Sequence, residues 1–134
     1  MYDFADKTIY RQFSKGTVYA TFNQIDCLGV CINAKTILNN SYYPYMVHRV
    51  KIYASSADSI EIANNNKSWS LIKITYLNKK DDYSTNKIIR FDDMYSADGV
   101  YKSLKLLKFE FTCDGYTGNN YAQVRLYGIG VLKR

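Results

Sequence analysis

Two pairs of adjacent acidic residues, Asp81-Asp82 and Asp92-Asp93, are the first candidates for catalytic chemistry. Glycoside hydrolysis needs two carboxyl groups that face each other across a cleft, about 5 to 9.5 Å apart. Neighbours along an extended chain point in opposite directions, so neither pair forms such a dyad alone. Together with Asp98, beside Gly99, the second pair could ligate calcium. A plain Asp-Gly turn explains these residues as well, and we predict no metal site or other cofactor.

The chain has one histidine, His48, and therefore one candidate general base. It shares the parity of Val50 and Ile52 in the stretch VHRVKIYA, which is typical of a hydrogen-bonded residue in a core or at its rim. A catalytic Ser or Cys would need activation by such a base, but no serine occupies a G-x-S-x-G elbow. There is no glycine-rich phosphate loop either. We predict that the protein is not an enzyme; a small hydrolase built around His48 is the alternative.

The chain has three cysteines, Cys27, Cys31 and Cys113, which are candidates for metal binding or disulfide formation. The spacing of the first two is not that of a zinc ribbon, and an odd number leaves at least one thiol unpaired within the chain. Cys113 falls at an inward position of an alternating stretch, where cysteine acts as a small hydrophobe. The pattern predicts reduced, structural cysteines.

Aromatic side chains are abundant, with fourteen Tyr, six Phe and one Trp. Sugars present apolar faces that stack on aromatic rings, and ligand sites combine such rings with a few convergent polar groups. Two clusters have this composition and supply the candidate ligand-binding residues Tyr42, Tyr43, Tyr45, Tyr116, Asn119, Asn120 and Tyr121. Tyrosines that pack over the ends of a sandwich would give the same pattern. We expect Trp69 to lie in the core.

The formal net charge of +6 is spread along the chain, and the longest basic run is Lys79-Lys80. Dispersed charge favours a general attraction to anionic surfaces, such as bacterial wall polymers, over specific nucleic-acid binding. No stretch has the length of a membrane span, and the start MYDFADKTIYRQFSK is not a signal peptide. We expect cytosolic synthesis, no membrane insertion, and a place in a virion or extracellular particle.

The stretch 103–132 predicts the elements that position these side chains. Residues of two strands alternate on either side of the turn-rich loop DGYTGNN at 114–120. The inward positions are Leu107, Phe109, Phe111, Cys113, Ala122, Val124, Leu126 and Gly128, whereas Tyr127 and Ile129 are predicted to point outward.

Further strands are predicted at 17–32, with a bulge at Gly29, and at 47–54, 69–77 and 87–91, with a short strand at Ile60 and Ile62. Residues 34–46 read as a loop, and 1–16 as an N-terminal arm or edge strand. No helical period is sustained. About eight strands separated by turn signals predict one all-β domain over 1–134, an antiparallel β-sandwich.

Residues 47–55 and 64–74, VHRVKIYAS and NNNKSWSLIKI, resemble the strand-turn-strand of galactose-binding-like domains, the jelly-roll sandwiches of discoidin and many carbohydrate-binding modules. The closing strands, with the run Leu126-Tyr127-Gly128, are similar to the last pair of that family. The stretch 24–29 is similar to its Ile-Asp-Leu-Gly strand, interrupted by Cys27. The resemblance covers 25–132 and implies two packed sheets with a Greek-key connection and ligands at loops of one end. It carries over no set of sugar-reading residues.

Two functional hypotheses follow. The first is a non-enzymatic recognition module that binds a cell-surface glycan, wall polymer or other surface ligand as part of a phage or phage-like particle. The second is a purely structural subunit of a virion, tail, baseplate or capsid decoration, in which outward residues such as Tyr127 and Ile129 contact neighbouring chains. Both are compatible with a homo-oligomer or with binding to other particle subunits.

Overall fold

The computed structural model describes residues 3–13, 16–38, 47–78, 86–90, 100–114 and 122–133. Within these ranges the chain forms seven strands and one short helix. All strand pairs are antiparallel, so the predicted all-β antiparallel class is confirmed. The elements are β1 (Asp3–Phe13), β2 (Gly16–Leu38), β3 (Val47–Ser55), α1 (Ile60–Asn65), β4 (Ser70–Asn78), β5 (Asn86–Arg90), β6 (Tyr101–Asp114) and β7 (Ala122–Lys133).

The strands are paired as in a jelly roll, in which a long antiparallel ribbon is wound into two layers. The ribbon pairs are β1 with β7, the first half of β2 with β6, the second half of β2 with β5, and β3 with β4. Winding adds the contacts of β7 with the second half of β2 and of β6 with β3. The first layer is therefore β2-β6-β3-β4 and the second is β1-β7-β2-β5, and β2 occupies two of the eight strand positions.

Strand β2 passes from one layer to the other between residues 21 and 29, where its register against β6 and then β7 shifts. Gln24 has a φ of 42°, in the left-handed region, and bulges of this kind bend a strand. The opposing strand bends too, since Ser103 has a φ of 58°. Its amide donates to Asp26 Oδ1 at 3.1 Å, and its carbonyl accepts from Ser56 Oγ at 2.8 Å. The bulge expected near Gly29 is confirmed.

One hydrophobic cluster fills the space between the layers. The inward positions predicted for the first closing strand are confirmed for Leu107, Phe109 and Phe111, which are all buried in this cluster. The side chain of Cys113 lies outside the described residues. The second layer contributes from three of its strands: Val30 and Ile32 of β2, Ile89 of β5, and Leu126, Ile129 and Val131 of β7. Both layers therefore share a single core, as a sandwich requires.

The outward orientation predicted for Ile129 is wrong, since this side chain is only 2% exposed and belongs to the core. The β2–β7 register shifts between the pairs Asn33–Gly128 and Ala34–Leu126, so β7 carries an extra residue there. One extra residue reverses the alternation, which moves every later side chain to the other face. Tyr127, beside the bulge, is half-buried.

Two further predictions, one of an element's type and one of a strand's end, are wrong. The strand predicted at Ile60 and Ile62 is instead helix α1, whose first turn is closed by Ser59: the hydroxyl oxygen accepts from the amide of Ile62 at 3.1 Å. Strand β2 continues to Leu38 rather than ending at Ile32 before a loop over 34–46, because β7 pairs with it as far as Leu38. In β2 a strand that is distant in sequence decides the conformation, whereas α1 depends on a cap one residue before its start.

Cys27 and Cys31 are reduced and buried, as predicted for structural cysteines. Burial raises the pKa of the Cys27 thiol from 9.0 to about 12, although its contacts with the backbone of Gly29 and Leu132 act in the opposite direction. The Cys27 Sγ donates to the carbonyl of Gly29 at 3.0 Å. Such a thiol is a weak nucleophile at neutral pH.

We expect Phe109→Ala to lower the free energy of unfolding by about 3–5 kcal/mol, because it opens a cavity in the shared core. Leu71→Ala removes apolar atoms from a side chain that is 42% exposed, and should cost less than about 1 kcal/mol. Urea denaturation followed by circular dichroism measures both. Equal losses would contradict the assignment of the two faces.

In a Cys113→Ala background, the two buried thiols should react with a disulfide reagent at pH 8 only as fast as the fold opens, and promptly in denaturant. The raised pKa of the Cys27 thiol also makes the stability of the fold depend on pH. The unfolded thiol ionises near pH 9 and the folded one near 12, so the contribution of Cys27 to stability is full below pH 9 and is lost as the pH rises towards 12. Prompt labelling of the native protein would contradict this burial.

Candidate functional site

The ligand-binding residues predicted from sequence, Tyr42, Tyr43, Tyr45, Tyr116, Asn119, Asn120 and Tyr121, all lie outside the described residues. The same holds for the acidic positions 81, 82, 92, 93 and 98. His48 lies in β3 opposite Cys113 of β6, but only the backbone of this pair is described. The structure therefore leaves the loop site a prediction.

A different surface is described in detail, the solvent side of the first layer. The outward side chains that the structure describes there form three cross-strand rows, and we call this surface the outer face. Directly opposed side chains in neighbouring strands lie close enough to contact one another. The rows are Tyr19–Lys108–Tyr53–Leu71, Thr17–Glu110–Lys51–Ile74 and Thr112–Arg49–Tyr76.

Lys108 lies at the centre of an aromatic cluster on the outer face. Its Nζ is 4.4 Å from the ring centroid of Tyr53 and 4.9 Å from that of Trp69. An ammonium at these distances from a ring face is attracted by the ring quadrupole. Glu110 Oε2 lies 4.0 Å from the same nitrogen. The side chain of Lys108 is only 15% exposed, so its stem is packed and its charge is held in one place.

Trp69 belongs to the outer face, and the expectation that it lies in the core is wrong. Its Nε1 donates to Asn64 Oδ1 at 2.8 Å, which ties the indole to the end of α1. The ring centroids of Trp69 and Tyr19 are 5.9 Å apart and tilted by 40°. Strands β6 and β3 separate these residues, so the two side chains reach towards each other across the layer.

Tyr53 connects this cluster to the middle row. Its hydroxyl makes a hydrogen bond with Glu110, and its pKa is raised, first by burial and then by the charge and hydrogen bond of that carboxylate. Arg49 acts in the opposite direction. The phenol therefore remains neutral at physiological pH, and Glu110 already contacts two groups of the protein.

Exposed apolar side chains are concentrated on β4. Leu71, Ile74 and Tyr76 are 42%, 39% and 49% exposed, and all three occupy the outer face at the edge of the layer. Tyr19, on the opposite edge strand, is 38% exposed. A contiguous exposed patch with aromatic anchors is typical of a surface that contacts another macromolecule.

The sequence contains part of the signal for this face. Tyr53, Lys108 and Glu110 occupy outward positions of alternating strands, and their types alone give an aromatic and charged surface. The sequence does not predict the exposure of Ile74, because a register shift between Ile52 and Tyr53 reverses the alternation within β4.

In the part of the chain that the structure describes, no group of three His, Cys, Asp or Glu side chains could hold a metal ion. No helix there has the length and apolarity needed to cross a membrane.

Comparison with known proteins assigns the chain neither to a family nor to a function. No protein-family profile matches the sequence, and no curated protein matches it. Among solved structures, a chain of Desmodium yellow mottle tymovirus is similar, with 5% sequence identity and a TM-score of 0.34 over 99% of this chain and 82% of that one. The TM-score is too low for the fold or the role of that chain to be carried over.

We expect Lys108→Met to make the single tryptophan more accessible to acrylamide, because the ammonium would no longer lie over the indole. The loss of the cation–π contacts should cost about 0.5–2 kcal/mol of unfolding free energy. Lys51→Met, one row away, is the matched control and should leave quenching unchanged. An identical Stern–Volmer slope for wild type and Lys108→Met would disprove the cluster.

Proposed function

We propose that this chain is a non-enzymatic subunit of a viral or phage-like particle that binds a neighbouring protein through its outer face. The observation that carries the proposal is the apolar row of Leu71, Ile74 and Tyr76 along β4. Jelly-roll sandwiches serve in viral capsids and in lectins, so the fold is compatible with a particle subunit without requiring it. In this function the protein resides in a virion.

Magnitudes favour the apolar row as the source of affinity. Complete burial of a large apolar side chain contributes about 1.5–3 kcal/mol, so a half-exposed one contributes about 1 kcal/mol when covered. Three such residues outweigh a typical exposed ion pair, which contributes about 0–1 kcal/mol. A partner that covers β4 therefore gains most of its binding energy from Leu71, Ile74 and Tyr76.

The proposal of a non-enzymatic role is supported by the state of Cys27. Its thiol is buried and protonated at neutral pH, which removes one of the candidate nucleophiles. The best-described polar cluster, around Lys108, is occupied by contacts within the protein.

Carbohydrate recognition is the second candidate function, as in the galactose-binding-like domains that the sequence resembles. The observation in its favour is the ring contact between Trp69 and Tyr19. The indole of Trp69 is held in place by its hydrogen bond to Asn64. A fixed aromatic pair beside cations could stack a sugar of a glycan or wall polymer. The Tyr42–Tyr45 and Tyr116–Tyr121 clusters are the rival position for the same function.

The first proposal is tested with the products of the genes adjacent to this one, each purified and presented to the immobilised chain. We expect one of them to bind the wild type and to lose at least about tenfold in affinity to the triple variant Leu71→Ser, Ile74→Ser and Tyr76→Ser. Ile62→Ser is the matched control, because Ile62 on α1 is 42% exposed and belongs to none of the three rows of the outer face. Binding that survives the triple variant would refute the assigned face.

The second candidate is tested on a glycan array and with purified wall polymers. If sugars bind at the loops, Tyr43→Ala combined with Tyr116→Ala abolishes binding, whereas Trp69→Ala combined with Tyr19→Ala abolishes it if they bind at the outer face. Retention of a glycan signal by both double variants would exclude both positions, and the absence of any signal in the wild type would exclude the function.

A further inference from the structure

The outer face combines its apolar row with an excess of positive charge. Among the described side chains, its three rows carry three cations, Arg49, Lys51 and Lys108, against one carboxylate, Glu110. That carboxylate already lies near Lys108 and hydrogen-bonds Tyr53. Lys51 stands between Glu110 and the exposed Ile74, so a cation borders the apolar row at its middle.

We propose that the occupant of the outer face is an acidic protein segment, one that presents carboxylates beside apolar or aromatic side chains. This inference rests on the proposed function and adds the chemistry of the partner. Complementary charge guides encounter and suppresses wrong partners, while apolar contact supplies affinity. The Lys108 ammonium contributes less to this complementarity than Lys51, because it is already engaged by Tyr53, Trp69 and Glu110.

A second copy of this chain is a poor occupant in a two-fold contact. Such an interface sets the same patch against itself, so the cations of one copy would face a patch with the same excess of positive charge. Like charges brought together at an interface are destabilising. The whole chain is also basic, with a net charge of +6, which opposes self-association through this face.

An anionic polysaccharide or nucleic acid would match the charge but not the apolar row. Sugars and bases stack on flat rings, whereas Leu71 and Ile74 are branched aliphatic side chains without a ring face. Aliphatic and aromatic side chains of a protein segment pack against both kinds of residue. The mixture on β4 therefore favours a protein partner.

The test uses a fluorescently labelled random copolymer of Glu and Tyr, with poly-Glu, heparin and poly-U as comparison probes, followed by anisotropy. We expect the wild type to bind the Glu–Tyr copolymer at least about tenfold more tightly than poly-Glu, and this binding to weaken as salt is added. Lys51→Glu should weaken copolymer binding about tenfold or more. Lys102→Glu makes the same change of net charge at an exposed position at the start of β6, and should leave binding within about twofold.

Each other result overturns the inference. Equal binding of poly-Glu, heparin and the copolymer would indicate attraction to any polyanion, and preferential binding of heparin or poly-U would indicate a polysaccharide or nucleic acid. A dimer in light scattering that is lost with the Leu71→Ser, Ile74→Ser and Tyr76→Ser variant would assign the face to a second copy. Lys51→Ala, checked by circular dichroism, replaces Lys51→Glu if the reversal prevents folding, with the same direction expected.

The experiments can contradict either of the two proposals without contradicting the other. If the triple variant loses its genetically adjacent partner while Lys51→Glu and Lys102→Glu bind the copolymer alike, the outer face is the contact surface but its partner is not acidic. If Lys51→Glu weakens the copolymer and the triple variant keeps its partner, the face binds acidic segments and the proposed assembly contact lies elsewhere.

Discussion

The passage of β2 between the layers is the constraint on which the rest of the structure depends. One strand of 23 residues belongs to both layers, so the two sheets are joined through continuous backbone hydrogen bonding. The bend needs a left-handed residue, shifts of register and a hydrogen-bonded corner at Ser103. Because the inner sides of both layers then face each other, a single core buries residues from β2, β3, β4, β5, β6 and β7. The opposite side of the first layer is left to solvent, and this is the outer face.

The sequence predicts the elements well where side chains alternate without interruption. The stretch 107–111 and the strand containing Val50 and Ile52 show a strict period of two, and both pack into the core as that period requires. Their outward neighbours, such as Tyr53 and Lys108, are predicted by the same rule. The class and the antiparallel pairing follow from several such strands separated by turns.

The sequence does not predict the positions where an extra residue or a local cap decides the conformation. A bulge in β7 moves Ile129 inward, and one in β4 leaves Leu71 and Ile74 together on the outside, yet each looks like ordinary alternation in sequence. Helix α1 depends on Ser59 and on a C-terminal turn at Lys67, whose φ is 52°. Trp69 is misassigned because hydrophobicity favours the core, whereas its hydrogen bond to Asn64 and its contact with Lys108 hold it outside.

Strands β5 and β6 lie one after the other along β2. Arg90, the last residue of β5, pairs with Gly29, and Tyr101, the first of β6, pairs with Cys27. The two ends of the intervening segment are thus anchored two residues apart on one template strand. Closing a loop between fixed ends costs an entropy that grows only logarithmically with its length. Evolution or design can therefore lengthen the chain between residues 90 and 101, or insert a small domain there, while the wound ribbon and its core keep their register.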